Sequence, residues 1–267
     1  MKWDLNEYAF STWTLESMPL KEALQLIRRY DFTDLELWAN CVHLDPSLSP
    51  DLGQVKTWLK ENGQTVHSIH STFSFPQARG LEEAAFRAQR MACWKENLDQ
   101  CQALEAPIMV IHAVGLGYAY PPQQAHIVRD CLAELCEYGQ HRGVDIALEN
   151  IASGTKPGEL LCTLENQVKI FDIPELRFCL DIGHVALNGG VMEREIDCAA
   201  EKLVTFHVSN NDGLHDLHNT PDCGELDWGT IHDYARHAGY QGKFVFEICG
   251  GANPEEMLRR TRSLFDM

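Results

Sequence analysis

Short apolar runs alternate with amphipathic stretches along this chain, and seven of the runs carry at or near their C-terminal end a side chain able to hold a divalent metal ion. The runs are LELW with Glu36, TVHSIH with His70, IMVIH with His112, DIALE with Glu149, LRFCLD with Asp181, VTFH with His207 and FVFE with Glu247. With 39 Asp and Glu and 12 His in 267 residues, only about one position in five is of these types, too few to expect seven successive matches by chance. Strands of 4–6 apolar residues, separated by helices, predict a parallel sheet whose two faces are both covered. If that sheet closes, every C-terminal strand end meets at one mouth, where barrels of this kind carry their chemistry.

The intervening segments read as helices. PLKEALQLIRRY begins on Pro19, suited to a first helical turn, and DLGQVKTWLKENG closes on Gly63 as a C-cap does. LEEAAFRAQRMACWKENLDQCQALEA repeats its apolar residues every three and four positions. PPQQAHIVRDCLAELCEYGQHRG starts on Pro121–Pro122 and ends at Gly143. GELLCTLENQVKIFD, REIDCAAEK, DWGTIHDYARHAGY and NPEEMLRRTRSLFDM complete the set, with a glycine-containing loop expected between Asp181 and REIDCAAEK. Adding a first strand near Tyr8–Trp13 gives eight strands and eight helices. The length matches one (β/α)8 TIM barrel in a single domain, residues 1–267, with no linker, low-complexity tract or charge block to mark a second. A doubly wound open sheet is the alternative, but it offers ligands at one switch point rather than at nearly every strand end.

Composition removes several classes of function. No run reaches the ~18–20 apolar residues of a membrane span, and the N-terminal MKWDLNEYAFS lacks the apolar core of a secretory signal. The ten cysteines show no CxxC spacing, and Cys93, Cys101, Cys131, Cys136, Cys162 and Cys198 read as small apolar residues in helices. Reduced thiols and a cytoplasmic location are the corresponding expectation. The net charge is −17, with 22 Lys and Arg against 39 acids, which argues against phosphate-neutralising contact with nucleic acid.

The strongest cluster is Glu149, Asp181, His207 and Glu247, one from each of strands five to eight. Three carboxylates and one imidazole form a mostly hard-oxygen set suited to Mn, Mg or Zn. Brought together alone, the carboxylates would repel and raise one another's pKa, a cost that a divalent cation removes. A second group holds His70, His112, His184, Asp216 and His218. His184 follows Asp181 by three residues, and Asp216 and His218 are two apart, so an extended segment would turn both to one side. These can bind further metal or contact substrate hydroxyls and carbonyl. His43, His67, His126, His141, His232 and His237 read as surface or packing residues. Trp13, Trp38 and Phe73, near the ends of the first three strands, are candidates to wall a small-molecule pocket. Gly115, Gly117, Gly183, Gly189, Gly190 and Gly213 fall in loops at the expected mouth; GLG after His112 lacks the spacing of a nucleotide fingerprint.

The segments SIHSTFS, VIHAVG, ALENI, CLDIGHVALNGG, FHVSNNDGLHDLH followed by GELDW, and FVFEI together resemble the xylose-isomerase-like barrel superfamily, which includes sugar-phosphate isomerase/epimerase enzymes and endonuclease IV. The resemblance runs from the second strand to the eighth. In the isomerase and epimerase branch it implies one divalent metal, commonly manganese, on Glu149, Asp181, His207 and Glu247. It further implies proton transfer by Glu149 and Glu247 on opposite faces of an enediolate, and substrate contact by His184. In the endonuclease branch, His70, His112, Glu149, Asp181, His184, His207, Asp216, His218 and Glu247 match the holders of three zinc ions. Ligand identity does not separate the branches. The loop WANCVHLDPSLSPD, free of Arg and Lys, and the acidic balance favour a small sugar-like or keto-acid substrate. Epimerases of this kind often carry an arginine after the strand-seven histidine; this chain has SNNDG there, so the resemblance does not extend to the identity of the sugar. A metal-binding relative without turnover is the non-enzymatic alternative.

Overall fold

The structure, a computed structural model, describes residues 3–73, 82–113, 125–152 and 161–266. The expected Gly115, Gly117 and Pro121–Pro122 features lie outside the described residues. Eight parallel strands close into a barrel in chain order: β1 Tyr8–Ser11, β2 Asp34–Trp38, β3 Thr65–His70, β4 Ile108–Ile111, β5 Asp145–Glu149, β6 Arg177–Asp181, β7 Leu203–Val208 and β8 Lys243–Phe246, with β8 pairing back onto β1. Around them lie α1 Leu20–Arg29, α2 Leu52–Asn62, α3 Glu83–Leu104, α4 Ala125–Gln140, α5 Leu164–Ile170, α6 Ile182–Leu187, α7 Met192–Ala199, α8 Trp228–His237 and α9 Pro254–Ser263.

The helix boundaries follow from local chemistry. Asp51, Thr163, Asp227 and Asn253 each accept a backbone N–H from the first turn they precede, satisfying a donor that the helix itself cannot. Gly63 ends α2 at φ +61, a conformation that glycine adopts without the Cβ penalty. In α1, Leu20, Ala23, Leu24 and Ile27 fall on one face and are buried against the barrel. Each such Leu or Ile contributes ~1.5–3 kcal/mol relative to exposure.

Two apolar layers result. Met109, Ile111, Ile146, Leu148, Phe178, Leu180, Phe206 and Phe246 pack outward in the large core beneath the helices. Ile108, Val110, Ala147 and Cys179, with Val204, form a small separate cluster inside the barrel, below the mouth. The same alternation turns Glu149 and Asp181 inward above that cluster.

Strict alternation alone does not deliver His70 and His207. The β2–β3 register slips between Leu35 and Glu36, leaving His67 without a partner, and the β6–β7 register slips between Phe178 and Cys179, leaving Val204 without one. Each extra residue resets the phase of its strand. Val66 and Ile69 therefore both face the outer core, while Ser68 and His70 face inward; Leu203 and Phe206 face outward while Thr205 and His207 face inward.

The loop expected after Asp181 is instead the short helix α6, which begins at once. Asp181 is its N-cap: Oδ1 accepts the backbone N–H of His184 at 2.7 Å. Gly183 gives α6 room, since a Cβ there would stand 3.1 Å from Ser209 Oγ and 3.2 Å from Asn211 Nδ2. The described residues therefore hold nine helices rather than eight, because the segment between β6 and β7 is split.

Candidate metal centre

Glu149 ends β5, Asp181 ends β6, His207 lies near the end of β7 and Glu247 follows β8, so four adjacent strands deliver four side chains to one point. All four are buried, and each offers a ligand atom within 4.8 Å of the others. His207 Nδ1 lies 3.2 Å from Glu247 Oε2 and 3.3 Å from Glu149 Oε2. Among the described residues, Glu149 Oε1, Asp181 Oδ2 and His207 Nδ1 are buried without a hydrogen-bond partner. Leaving a buried polar atom unpaired costs ~1–3 kcal/mol, more when it is charged. Three such atoms, on residues whose ligand atoms gather within 4.8 Å of one another in a mostly oxygen set, fit a divalent cation.

Adjacent side chains complete the floor and wall. His112 Nε2 lies 2.9 Å from Glu149 Oε2, and His70 Nε2 lies 3.5 Å from the same oxygen. His70 Nδ1 donates to the Ser71 carbonyl at 3.1 Å, which turns Nε2, itself without a hydrogen-bond partner among the described residues, into the site. His184 Nδ1 donates to the Asn150 carbonyl at 2.8 Å, and its Nε2 meets Asp216 Oδ2 at 3.2 Å. Asp216 Oδ1 lies 3.3 Å from His218 Nε2, so these two do turn to one side. An extended backbone is not the reason, for His218 sits at φ +46; its Nδ1 donates to the Glu247 carbonyl at 3.0 Å.

Burial and charge act against each other here. Burial pushes the Glu149 carboxyl up, but the His112 and His207 rings outweigh it and hold the group well below the usual carboxylate range. The same opposition leaves Glu247 at about 2, chiefly through His207. Asp181 is raised, burial outweighing His184 and His218. Burial alone would lower the imidazoles. Asp181 and Asp216 nonetheless lift His184 to about 10, and the bond to Asp216 together with Glu247 lifts His218 to about 9. His207 rises well above its ordinary value among Cys179, Glu247, Glu36 and Glu149.

A cavity of about 340 Å³ opens over this cluster, lined by Trp13, Trp38, Phe73, Asp216 and Leu217 beside the histidines and Glu247. That volume is at the small end of small-molecule sites. Trp13 packs edge-on against His218 at 4.9 Å, and Trp38 tilts over His70 at 4.7 Å. The three aromatics thus wall the mouth and fix two of its histidines.

Residues 24–266 match the family described as the xylose isomerase-like TIM barrel. The chain belongs to that family. Fructoselysine 3-epimerase of Escherichia coli O157:H7 is 22% identical over 244 residues, 87% of this chain and 86% of that one. A D-tagatose 3-epimerase-like protein superposes with a TM-score of 0.79 at 19% identity, covering 99% of this chain and 97% of its own. The IOLI protein with a binding zinc atom gives 0.77 at 17% identity, covering 99% and 96%. At these identities the structural likeness extends to the fold.

The SNNDG segment that follows β7 serves the architecture. Asn210 Nδ2 donates to the Pro221 and Leu226 carbonyls at 2.9 and 3.0 Å, and Asn211 Nδ2 donates to the Gly183 carbonyl at 3.0 Å, tying β7 to α6.

Asn150 and Ser68 carry no signal in the sequence, and Glu36 stands there only as a metal-capable residue of the second strand, outside the two ligand groups. Asn150 clamps β5 to β6, accepting from Asp181 N at 2.8 Å and donating to Asp181 O at 2.9 Å. Glu36 is wholly buried against His207, and Ser68 donates to it at 2.9 Å.

Proposed function

We propose that the protein is a divalent-metal-dependent sugar isomerase or epimerase acting by proton transfer. The observation that carries this reading is the pair of buried glutamates from β5 and β8, both held below the usual carboxylate range and both within 3.3 Å of His207 Nδ1, with Glu247 and the Glu149 partner His112 lining an aromatic-walled cavity. The epimerase relatives support the substrate class. Glu149, Asp181, His207 and Glu247 would hold the ion, for which manganese or zinc suits the donor set. A bound cation supplies Lewis-acid polarisation of substrate oxygens. One ionised glutamate, Glu149 or Glu247, would take the proton α to a carbonyl, and the other, after gaining a proton from solvent, would deliver one to the opposite face or the adjacent carbon. His184, with both ring nitrogens engaged by the Asn150 carbonyl and Asp216, would contribute positive charge beside the developing oxyanion. Trp13, Trp38 and Phe73 exclude water and pack on the apolar face of a sugar ring, while His112, which lines the cavity, contacts its hydroxyls; His70, expected beside it, is fully buried outside that lining.

One set of observations favours a second reading. Two further groups, His70 with His112 and Glu149, and Asp181 with His184 and His218, also bring their ligand atoms within 4.8 Å. A three-ion centre of the endonuclease kind would use them. The isomerase reading is tested by turnover in heavy water over a panel of ketoses and their lysine conjugates. Solvent deuterium should enter the product at the carbon next to the carbonyl. Metal-loaded protein that converts no member of the panel, yet cleaves a phosphodiester, overturns it.

A further inference from the structure

We propose that Glu36 is a positioning residue of the metal centre: it accepts the Nε2 proton of His207 and thereby commits Nδ1 as the ligating nitrogen. This rests on the metal-binding reading above and adds to it a residue that does not itself reach the ion. Glu36 lies on β2, fully buried, and His207 lies on β7, so their contact crosses the barrel interior beneath the mouth. Glu36 Oε2 is 3.1 Å from His207 Nε2 and also accepts from Ser68 Oγ at 2.9 Å. Ser68 reaches the interior only because the register slips at His67, so the strand irregularity and the carboxylate belong to one device.

The chemistry is asymmetric. A neutral imidazole carries one N–H and one lone pair. In the metal-bound state, where the ring is neutral, an N–H given to Glu36 leaves the lone pair on Nδ1, the nitrogen that faces Glu149 Oε2 at 3.3 Å and Glu247 Oε2 at 3.2 Å. A cation is the partner that completes such an arrangement. A carboxylate below a liganding histidine also fixes the ring plane and increases the donor strength of the far nitrogen.

The test uses the whole chain, stripped of metal and titrated with zinc against a chromophoric chelator. Glu36→Gln keeps the shape and weakens the acceptor; it should lower zinc affinity 10–100-fold. Ser68→Ala removes only the second bond to Glu36 and should cost less. Removing one partner of a buried contact lowers stability by itself, so the metal-free melting temperature of each variant is measured beside its affinity, and the affinity loss in Glu36→Gln should exceed what its stability loss accounts for. Ring nitrogen-15 spectra of the zinc-loaded wild type should show His207 ligated through Nδ1 and protonated at Nε2. Unchanged zinc affinity in Glu36→Gln overturns the inference, as does ligation through Nε2. So does a loss of affinity accompanied by an equal loss of metal-free stability in both variants, which would assign Glu36 to the fold alone. A wild type that binds no zinc refutes the metal reading itself, a separate outcome.

Discussion

At the scale of single residues, the site is a balance between burial and charge that a cation would reset. His207 is held well above its ordinary pKa while Glu149 and Glu247 are held below theirs, so in the metal-free chain at neutral pH the proton resides on the imidazole. Binding a metal through that ring must expel the proton. Uptake should therefore release about one proton per ion, and affinity should rise with pH through the neutral range. Calorimetry in two buffers of different ionisation enthalpy measures this directly; equal heats, with affinity flat from pH 6 to 8, would contradict it. The same glutamates are the proposed acid and base. Glu149→Gln or Glu247→Gln should each lower turnover by ~10²–10⁴. Because both residues also belong to the proposed ligand set, metal content has to be measured beside each rate. A Gln variant with metal bound and normal turnover would remove that residue from the proton-transfer role.

At the scale of elements, strand phase decides what reaches the site, and it was only partly legible. The runs IMVIH, DIALE and LRFCLD keep simple alternation, so their terminal His112, Glu149 and Asp181 could be read straight from the sequence. TVHSIH and VTFH could be read only as far as their terminal residues. The slips at His67 and Val204 depend on pairing with neighbouring strands, which no single segment encodes, and without them Ser68 and Thr205 would face the helices. The helix α6 was missed because its cap, Asp181, had been read only as a strand end. His67 offers a check on this layer. It turns inward at the slip, its Nε2 is 3.1 Å from Thr205 Oγ1, and burial lowers its pKa to about 4. Unfolded, it titrates near ~6.5. The unfolded chain therefore takes up the proton first, so this contribution to stability is complete above pH ~6.5 and is lost as pH falls towards 4. A shift of that size corresponds to at most ~3 kcal/mol. Urea unfolding of metal-free protein should show a shallower loss of stability between pH 6.5 and 4 in His67→Gln than in the wild type; parallel curves would mean that His67 does not titrate within the barrel.

At the scale of the whole molecule, the topology was the easiest feature to read and the substrate the hardest. Eight strand–helix repeats force a closed parallel barrel, and closure gathers the strand ends whatever the sugar. Segments 74–81, 114–124 and 153–160, which follow β3, β4 and β5 in the sequence, lie outside the described residues. Electrostatics offers a test between the isomerase and endonuclease readings. The chain carries 22 basic against 39 acidic residues, a net −17, and WANCVHLDPSLSPD after β2 contributes three acids or histidines and no Lys or Arg. DNA-binding proteins draw most of their affinity from neutralising phosphates, and each contact adds to the slope of affinity against salt. This surface should repel a duplex at long range, most strongly at low ionic strength, where screening is weakest. A duplex bearing an abasic site should therefore bind with Kd weaker than ~10⁻⁴ M near physiological salt and stay intact in the presence of metal-loaded protein. Lowering the salt should bring little gain in affinity, since few phosphate counterions would be released on binding. Tight binding that falls steeply with salt, together with incision at the abasic site, would require a concentrated basic face despite the overall charge. It would transfer the three-ion reading from the alternative to the primary one.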